Sequence, residues 1–217
     1  MAEFELPDSL KIMIEDICNK QNIMGNEDAF AYSKDINLIQ LSEQCNVPRK
    51  YNDATFANTD CRLKDIALDF ALHGKGVMIV CGNNGTGKTR LGSCCINERI
   101  LREIAGGRYI SCSYEVGPLI RSSRSFSAKK SEIEVYKEFY ITPFLVIDEA
   151  GKGDDVAVSK AFIRNVLLAR YDYELPSFIS MNGTKEEFME LVGNDVVSRL
   201  HETGKIYVLN EKDWRSQ

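Results

Sequence analysis

The chain has 217 residues, of which 44% are hydrophobic and 27% are charged, with only 5 prolines. These values fit one globular domain with a short appendage and exclude a disordered or fibrous chain. A net charge of −5 excludes the global basic field of a histone-like protein, so any nucleic-acid site has to be a local patch.

Targeting segments and metal or disulfide frameworks are not predicted. Residues 1–22 lack a basic start followed by an apolar run, and the longest apolar stretches are too short to span a bilayer. The 7 cysteines include no CxxC pair, and only 2 histidines are present. We therefore expect a cytoplasmic protein with no membrane contact, whose cysteines are reduced and mostly buried.

The first part of the chain is predicted to be a helical segment. Apolar residues recur at three- and four-residue spacing from Leu10 to Cys18, after plausible N-cap residues, which indicates a short amphipathic helix. A second apolar stretch covers residues 36–41, and Pro48 marks a boundary. The predicted domains are a helical segment at 1–47 and an α/β domain at 48–217.

From Gly76 onward, apolar runs alternate with helical patterns, as is typical of a parallel sheet covered on both faces. The predicted strands are 77–81, 108–113, 144–147, 178–181 and 206–209, and the clearest helices are 88–104 and 159–173. This order predicts a succession of βαβ units in one five-stranded sheet.

A glycine-rich motif from Gly82 to Thr89 fits GxxxxGK[ST], directly after a predicted strand and before a helix. In that context backbone N–H groups bind phosphates, Lys88 reaches the β and γ oxygens, and the Thr89 hydroxyl ligates Mg²⁺. The alternative is a glycine-rich turn without a ligand. The residues expected to bind the nucleotide here are Asn83, Asn84, Gly85, Thr86, Gly87, Lys88, Thr89 and Arg90.

Two carboxylates and an amide follow other predicted strands. We expect Asp148 to hold Mg²⁺ through water and Glu149 to polarise the attacking water, although such a pair is also a common helix cap. Asn182 follows the fourth strand, where it is placed to contact the γ-phosphate or its water. A turn asparagine is the alternative reading. Together with the glycine-rich motif, the carboxylate pair favours a P-loop NTP hydrolase of the additional-strand class.

The basic residues elsewhere in the chain have two possible interpretations each, one functional and one structural. Arg199 and Arg215 could be solvated charges or could act on nucleotide, Arg199 as an arginine finger in trans. A cluster before the Asp148 strand combines four cations with a ring, which suits single-stranded DNA, and a mobile basic loop is the alternative. The cluster consists of Arg121, Arg124, Phe126, Lys129 and Lys130.

Taken in order, VPRKY, ATF, GNNGTGKT, LVIDEAG, SMNGTKEEF and DVVSRLHETG resemble the DnaC/DnaI/IstB group of AAA+ ATPases. The resemblance covers about residues 47–217. It implies an AAA+ fold with little or no C-terminal lid and a short helical N-terminal segment. It also implies that Tyr51 and Phe56 lie near adenine, Asn182 is sensor 1, Arg199 is the arginine finger and Arg215 is the sensor 2 arginine.

The resemblance further implies a slow, DNA-stimulated ATPase that binds ATP and Mg²⁺ and acts as a helicase loader in DNA replication. Its expected partners are a DnaB-type replicative helicase, gripped by residues 1–47, single-stranded DNA, and further copies of the chain in an ATP-dependent oligomer. Three alternatives stay open. They are an IstB-like transposition helper on duplex DNA, a small P-loop nucleotide kinase, and a non-catalytic, ATP-gated binding module.

Overall fold

The computed structural model describes residues 37–209, and a five-stranded parallel sheet forms its centre. The strands are β1 (Val77–Gly82), β2 (Arg108–Ser111), β3 (Leu145–Ala150), β4 (Ser177–Met181) and β5 (Gly204–Leu209). They lie in the order β2-β3-β4-β1-β5. All five predicted strands are confirmed, and each lies within a few residues of its predicted position.

Seven helices of the described residues surround the sheet. They are α1 (Lys64–His73), α2 (Lys88–Leu101), α3 (Val116–Ser123), α4 (Glu132–Ile141), α5 (Val156–Asp172), α6 (Lys185–Val192) and α7 (Asn194–Thr203). Residues 37–44 are also helical, and a short 3-10 helix spans Arg49–Tyr51. The helix predicted at 159–173 begins at Val156 instead, because the Asp155 side chain accepts a hydrogen bond from the Val158 amide and caps it earlier.

Apolar side chains of successive strand residues enter two separate cores. In β1, Ile79 faces a core shared with α3 to α7, while Val80 faces a core shared with α1 and α2. Both side chains are fully buried. Covering on both faces explains why β1 and the first half of β3 read as continuous apolar runs, and it gives a three-layered α/β architecture.

Strand β4 lies between β1, which leads into the glycine-rich motif, and β3, which carries Asp148. An extra strand at this place defines the additional-strand class of P-loop NTPases, so that prediction is confirmed. The ends of β1, β4 and β3 therefore lie side by side at one edge of the sheet.

Helix α2 follows the glycine-rich motif and packs tightly on the sheet. Gly92 makes the close approach possible, since a Cβ there would lie 3.0 Å from the rings and methyls of Phe178 and Val146. Most residues of the helix are buried, including Asn97, whose exposed fraction is 0%. The helix is therefore fixed relative to the strands that surround the motif.

Asn97 also fixes the chain that precedes the sheet. Its side-chain amide donates to the carbonyls of Tyr51 (3.0 Å) and Ala54 (2.8 Å), and it accepts from the Ser42 hydroxyl (2.8 Å). These groups are buried or half-buried, so the hydrogen bonds are shielded from water. Residues 42–54 are thereby joined to α2. The domain boundary placed at residue 48 stays a prediction.

Arg170, on α5, is buried with an exposed fraction of 1% and has hydrogen bonds at every part of its guanidinium. It donates to the Ser177 hydroxyl and to the carbonyls of Phe139, Thr142 and Pro176, each at 2.7 Å. Burial lowers the pKa of Arg170 to about 10, so it remains charged at neutral pH. It ties the end of α4 to the start of β4.

The six cysteines of the described residues are free thiols, and four of them are buried, as predicted for most of them. Burial raises the pKa of Cys81 and of Cys94 to about 11, and that of Cys112 to about 12. These thiols stay protonated at neutral pH and serve as small apolar side chains. Within residues 37–209, none of the helices is both long and apolar enough to cross a membrane.

Several predictions concern residues outside the described range. They are the amphipathic helix from Leu10 to Cys18, most of the N-terminal segment at 1–47, the sensor 2 role of Arg215, and the near-absence of a C-terminal lid. These stay predictions.

Candidate nucleotide-binding site

A cleft of about 580 Å³ lies at the carboxyl ends of β1, β3 and β4. Open α/β sheets place their ligands at this edge, beyond the ends of parallel strands. Residues of the glycine-rich motif line it together with the predicted carboxylates and amide. Its walls include Tyr51, Asn84, Gly85, Gly87, Lys88, Thr89, Arg90, Asp148, Glu149, Lys152, Ser180 and Asn182.

The glycine-rich loop has the backbone that phosphate binding requires. Gly87 precedes α2 at φ +89°, which a residue with a side chain rarely adopts, and nothing lies within 4 Å of the place where its Cβ would be. The space in front of the helix is therefore open to a ligand that approaches the backbone. Thr86 is buried and donates to the Asn83 carbonyl at 3.0 Å, which closes the loop from within.

Lys88 is buried, and its ammonium group lies over the loop. Its Nζ donates to the carbonyls of Gly82 (2.9 Å) and Asn83 (2.5 Å). These contacts keep the charge at the loop centre, where the phosphates of a nucleotide would bind. Thr89 follows as the second residue of α2 and lines the cleft beside it.

Arg90 lines the cleft, and its guanidinium contacts the loop before α1. Its Nε donates to the Thr59 hydroxyl (2.9 Å), and its Nη2 donates to the Asn58 side-chain oxygen (2.8 Å). Arg90 thereby fixes one wall of the cleft, whereas its predicted contact with nucleotide stays a prediction. Sequence reasoning missed the wall itself, because Asn58 and Thr59 match no motif.

The structure separates the two residues predicted to lie near adenine. Tyr51 lines the cleft, and its carbonyl is held by Asn97 as described above. Phe56 is buried in the core formed with α1 and α2, with an exposed fraction of 3%, and it does not line the cleft. Phe56 can therefore support the wall of the cleft only from its core side. Contact of either residue with adenine stays a prediction.

Asp148 is buried, and both of its carboxylate oxygens accept hydrogen bonds from hydroxyl groups. Oδ2 accepts from Tyr109 on β2, and Oδ1 accepts from Ser180 on β4. Burial, together with the negative charge of Asp148, raises the pKa of Tyr109 far above its ordinary value, so the phenol stays a donor. Asp148 is thus held from both neighbouring strands.

Glu149 lines the cleft next to Asp148, in an uncommon backbone conformation with φ +55°. Its carboxylate forms an ion pair with Lys152, at 3.3 Å between Nζ and Oε1. Both side chains are partly exposed, so water also reaches the pair. A carboxylate at this place can orient a water molecule in the cleft.

The residues of the cleft fit a Mg²⁺ ion that keeps several water ligands better than one that is coordinated by protein groups alone. No group of three or more His, Cys, Asp or Glu residues within 37–209 forms a metal cluster. Mg²⁺ is usually held by one or two protein oxygens together with water and phosphate, and a carboxylate keeps lone pairs free beyond two hydrogen bonds. Thr89 and Asp148, which both line the cleft, supply such oxygens.

Asn182 lies in the cleft, and Arg199 lies far from it. Arg199 lines a separate cavity of about 540 Å³ with Gly76 and Val77, at the start of β1, whereas the cleft lies beyond its end. Its Nη1 donates to the Asp195 carbonyl (3.0 Å), and its guanidinium lies over the ring of Tyr171, 5.4 Å from the centroid. Arg199 is therefore at the opposite end of the sheet from the cleft of its own chain.

The predicted DNA-binding cluster lies on α3 and the loop between α3 and α4. Phe126 is fully exposed, and Arg121 and Lys129 are exposed too. Two cations are paired with carboxylates of α4. Arg124 holds Glu132 through two hydrogen bonds (2.6 and 2.8 Å), and Lys130 pairs with Glu138. The local positive charge is thus smaller than the sequence indicates.

Three further residues of the site, besides Asn58 and Thr59, were missed by sequence reasoning. Tyr109 and Ser180 lie inside apolar strands and match no motif, and only the parallel register brings them to Asp148. Lys152 follows the carboxylate pair at three residues, a spacing that could have indicated its ion pair with Glu149.

No protein-family model matches the sequence, and no curated protein matches it either. Solved structures do match the fold. One is described as the DnaC helicase loader (18% identity, 75% of this chain and 100% of that chain, TM-score 0.59). A second is DnaI (18% identity, 79% and 98%, TM-score 0.57). A third is the replication initiator DnaA bound to AMPPCP and single-stranded DNA (17% identity, 76% and 51%, TM-score 0.59).

These likenesses show an AAA+ P-loop NTPase fold, as the sequence predicts. The predicted likeness to DnaC and DnaI is confirmed at the level of the fold. This chain spans about half of the DnaA chain that it matches.

Proposed function

On the basis of its additional-strand P-loop fold, we propose that this chain is an ATP-hydrolysing helicase loader in DNA replication. The observation that carries the proposal is the cleft in which Lys88 and Thr89 share one space with Asp148 and Glu149. Neighbours of the same fold include a helicase loader and a replication initiator bound to a nucleotide analogue and single-stranded DNA.

Each side chain of the cleft has a part in hydrolysis. The loop amides and Lys88 bind the β- and γ-phosphates, and Glu149 orients a water molecule and accepts a hydrogen bond from it. Water adds to the γ-phosphorus as the bond to the bridging oxygen breaks, which gives ADP and inorganic phosphate. Asn182, at the end of β4, is placed to contact the γ-phosphate or the water.

Thr89 and Asp148 would hold Mg²⁺, which neutralises charge on the phosphate oxygens when it is bound. Asp148 is well suited to this part because Tyr109 and Ser180 fix both of its oxygens. Arg215 would contact the same nucleotide as the sensor 2 arginine, from outside the described residues.

Single-stranded DNA would bind at the exposed cluster on α3 and the loop after it. Phe126 is fully exposed and offers a ring on which a base can stack, and Arg121 and Lys129 offer exposed charges for phosphates. Arg124 and Lys130 can join them by exchanging their glutamate partners for phosphate. A hexameric DnaB-type helicase would bind the segment at 1–47.

Self-association would complete each nucleotide site. Arg199 lies at the other end of the sheet from its own cleft, so a part in hydrolysis requires the cleft of a neighbouring copy. The contacts with Asp195 and Tyr171 keep its guanidinium in one orientation. An arginine finger supplied in trans stabilises charge on the transferring phosphoryl group.

Hydrolysis of ATP by the purified chain tests the proposal, with single-stranded DNA, duplex DNA and nucleoside monophosphates added in turn. We expect single strands to stimulate hydrolysis. Phe126→Ala should weaken single-strand binding by about 5- to 100-fold, because base stacking on an aromatic ring is lost. Binding is measured by fluorescence anisotropy of a labelled oligonucleotide.

Tyr173→Ala is the matched control, since Tyr173 is another exposed aromatic residue and lies at the end of α5. It should leave binding and stimulation unchanged. Preference for duplex DNA would favour a transposition helper instead, and phosphoryl transfer to a monophosphate would favour a nucleotide kinase. Binding of ATP with no turnover under any condition would favour an ATP-gated binding module.

Arg199→Ala should remove DNA-stimulated hydrolysis, by about 10³-fold or more, and leave nucleotide binding intact. The reason is that Arg199 acts on the neighbour's γ-phosphate and makes no contact with its own cleft. Turnover is measured at saturating ATP, and binding is measured by titration with a fluorescent ATP analogue. Arg102→Ala, which removes another partly exposed arginine, serves as the control.

A mixture of two inactive variants separates a trans role from structural damage. Arg199→Ala subunits have an intact loop, and Lys88→Ala subunits have an intact finger. Hydrolysis should return when the two are mixed, because some interfaces then join one intact loop to one intact finger. A mixture as inactive as either variant alone would remove the finger assignment.

A further inference from the structure

Strand β3 contains a β-bulge at the two carboxylates of the cleft. The ladder with β4 pairs Ile147 with Ile179 and Ala150 with Met181. Two residues of β3, Asp148 and Glu149, therefore lie opposite one residue of β4, Ser180. A bulge of this kind leaves one residue out of the ladder and redirects the side chains around it.

The hydroxyl group of Ser180 fills the gap in the ladder. It accepts a hydrogen bond from the Glu149 amide at 3.1 Å, and it donates to the Asp148 carboxylate. Ser180 has an exposed fraction of 1%, so water does not replace its hydroxyl easily. One buried oxygen is thus bonded to the backbone of one carboxylate residue and to the side chain of the other.

The backbone at Glu149 needs such a partner. Its φ of +55° lies in the left-handed region, which is unfavourable for a residue with a side chain and persists only where neighbouring groups hold it. The hydrogen bond from its amide to Ser180 is one contact that does so, and the other is the bond that its carbonyl accepts from the Lys152 amide at 3.0 Å. Without the hydroxyl, the Glu149 N–H group would lose its partner on β4, at a position inside the sheet.

The bulge changes where the two carboxylates point. In a regular strand, successive side chains lie on opposite faces of the sheet, so one of the pair would enter a core. Here both Asp148 and Glu149 line the same cleft. We infer that Ser180 is a positioning residue that holds the bulge and thereby presents both carboxylates to the nucleotide. This inference rests on the proposed hydrolysis of ATP.

Ser180→Ala tests it. We expect kcat to fall by about 10- to 100-fold while KM for ATP changes by less than about threefold, since the nucleotide-binding loop is untouched and only carboxylate geometry is lost. Ser180→Thr keeps a hydroxyl at the same place and should restore most of kcat. A Ser180→Thr variant as slow as Ser180→Ala, although it is folded, would overturn the inference.

Ser177→Ala is the matched control. Ser177 is a buried serine of the same strand, and its hydroxyl accepts a hydrogen bond from Arg170 at the end of β4 distant from the cleft. It should lower thermal stability at least as much as Ser180→Ala does and leave kcat unchanged. Equal losses of kcat in the two variants would mean that Ser180 has a structural part only.

Binding of Mg²⁺ with a non-hydrolysable ATP analogue gives a readout that does not need turnover. Half-saturation by Mg²⁺ should require about tenfold more of the ion in Ser180→Ala, and the same amount as wild type in Ser177→Ala, because second-shell partners of this kind tune metal affinity. An unchanged Mg²⁺ requirement in Ser180→Ala would overturn the inference. A wild-type chain that binds the analogue but does not hydrolyse ATP would contradict the proposed function alone.

Discussion

Replacement of Lys88 by alanine is expected to lower ATP hydrolysis by about 10²- to 10³-fold, the size of effect that follows loss of one preorganised charge at a phosphoryl-transfer site. The ammonium group is buried and is held by carbonyls of the glycine-rich loop. Its charge therefore needs little reorganisation when phosphates arrive. Release of inorganic phosphate at saturating ATP measures the effect.

The loop itself should survive the Lys88→Ala change, because Thr86 still closes it onto the Asn83 carbonyl. Circular dichroism and thermal unfolding check this point. Lys205→Ala, which removes an exposed lysine at the start of β5, is the control and should hydrolyse ATP at the wild-type rate. A folded Lys88→Ala variant that keeps more than a tenth of wild-type hydrolysis would contradict the assignment of the loop.

Replacement of Arg170 by leucine is expected to lower the free energy of unfolding by about 3–5 kcal/mol, a large part of the stability of a domain of this size. The loss follows from the acceptors that Arg170 now satisfies, which are the buried carbonyl of Phe139 and the half-buried carbonyls of Thr142 and Pro176. The carbonyls of Phe139 and Thr142 would lose this donor, at a cost of about 1–3 kcal/mol each before relaxation. The Pro176 carbonyl would keep the Leu145 amide as a donor, at 3.3 Å. Urea unfolding followed by circular dichroism measures the change.

Arg164→Leu is the matched control for that experiment, since Arg164 lies on the same helix. Its ion pair with Asp195 is exposed, and such pairs contribute about 0–1 kcal/mol. Arg170→Lys separates charge from shape, because lysine keeps the charge but lacks the planar set of donors. Equal stability of the Arg164 and Arg170 variants would show that the buried network contributes little.

The sheet could be predicted because its strands are buried on both faces. Val77 to Cys81 therefore appears as an uninterrupted apolar run, and Phe178 to Met181 appears as a run broken only by Ser180. The glycine-rich motif fixes which run comes first. The end of β3 was less predictable. The strand continues past Ile147 through two carboxylates to Ala150, and polar residues at a strand end resemble a turn when only local sequence is considered.

Motif residues of the site were predictable because their chemistry depends on local spacing, as in the loop that ends at Lys88 and Thr89. The partners of Asp148 were not predictable in this way. Tyr109 and Ser180 reach it from two other strands, 39 and 32 residues away in sequence, through a register that local patterns do not encode. For the same reason, the pairing of cations in the cluster around Phe126 was not predicted. Helix α4 brings Glu138 to Lys130, which lies eight residues earlier in the sequence.

The hydrogen bonds of Asn97 have a mechanical consequence for the chain. Asn97 joins Ser42 and the backbone of residues 51–54 to α2, the helix that begins at Lys88. A pulling force applied to the chain before residue 42 is therefore transmitted directly to that helix. A small displacement of the helix on its sheet would likewise move residues 42–54 as one piece.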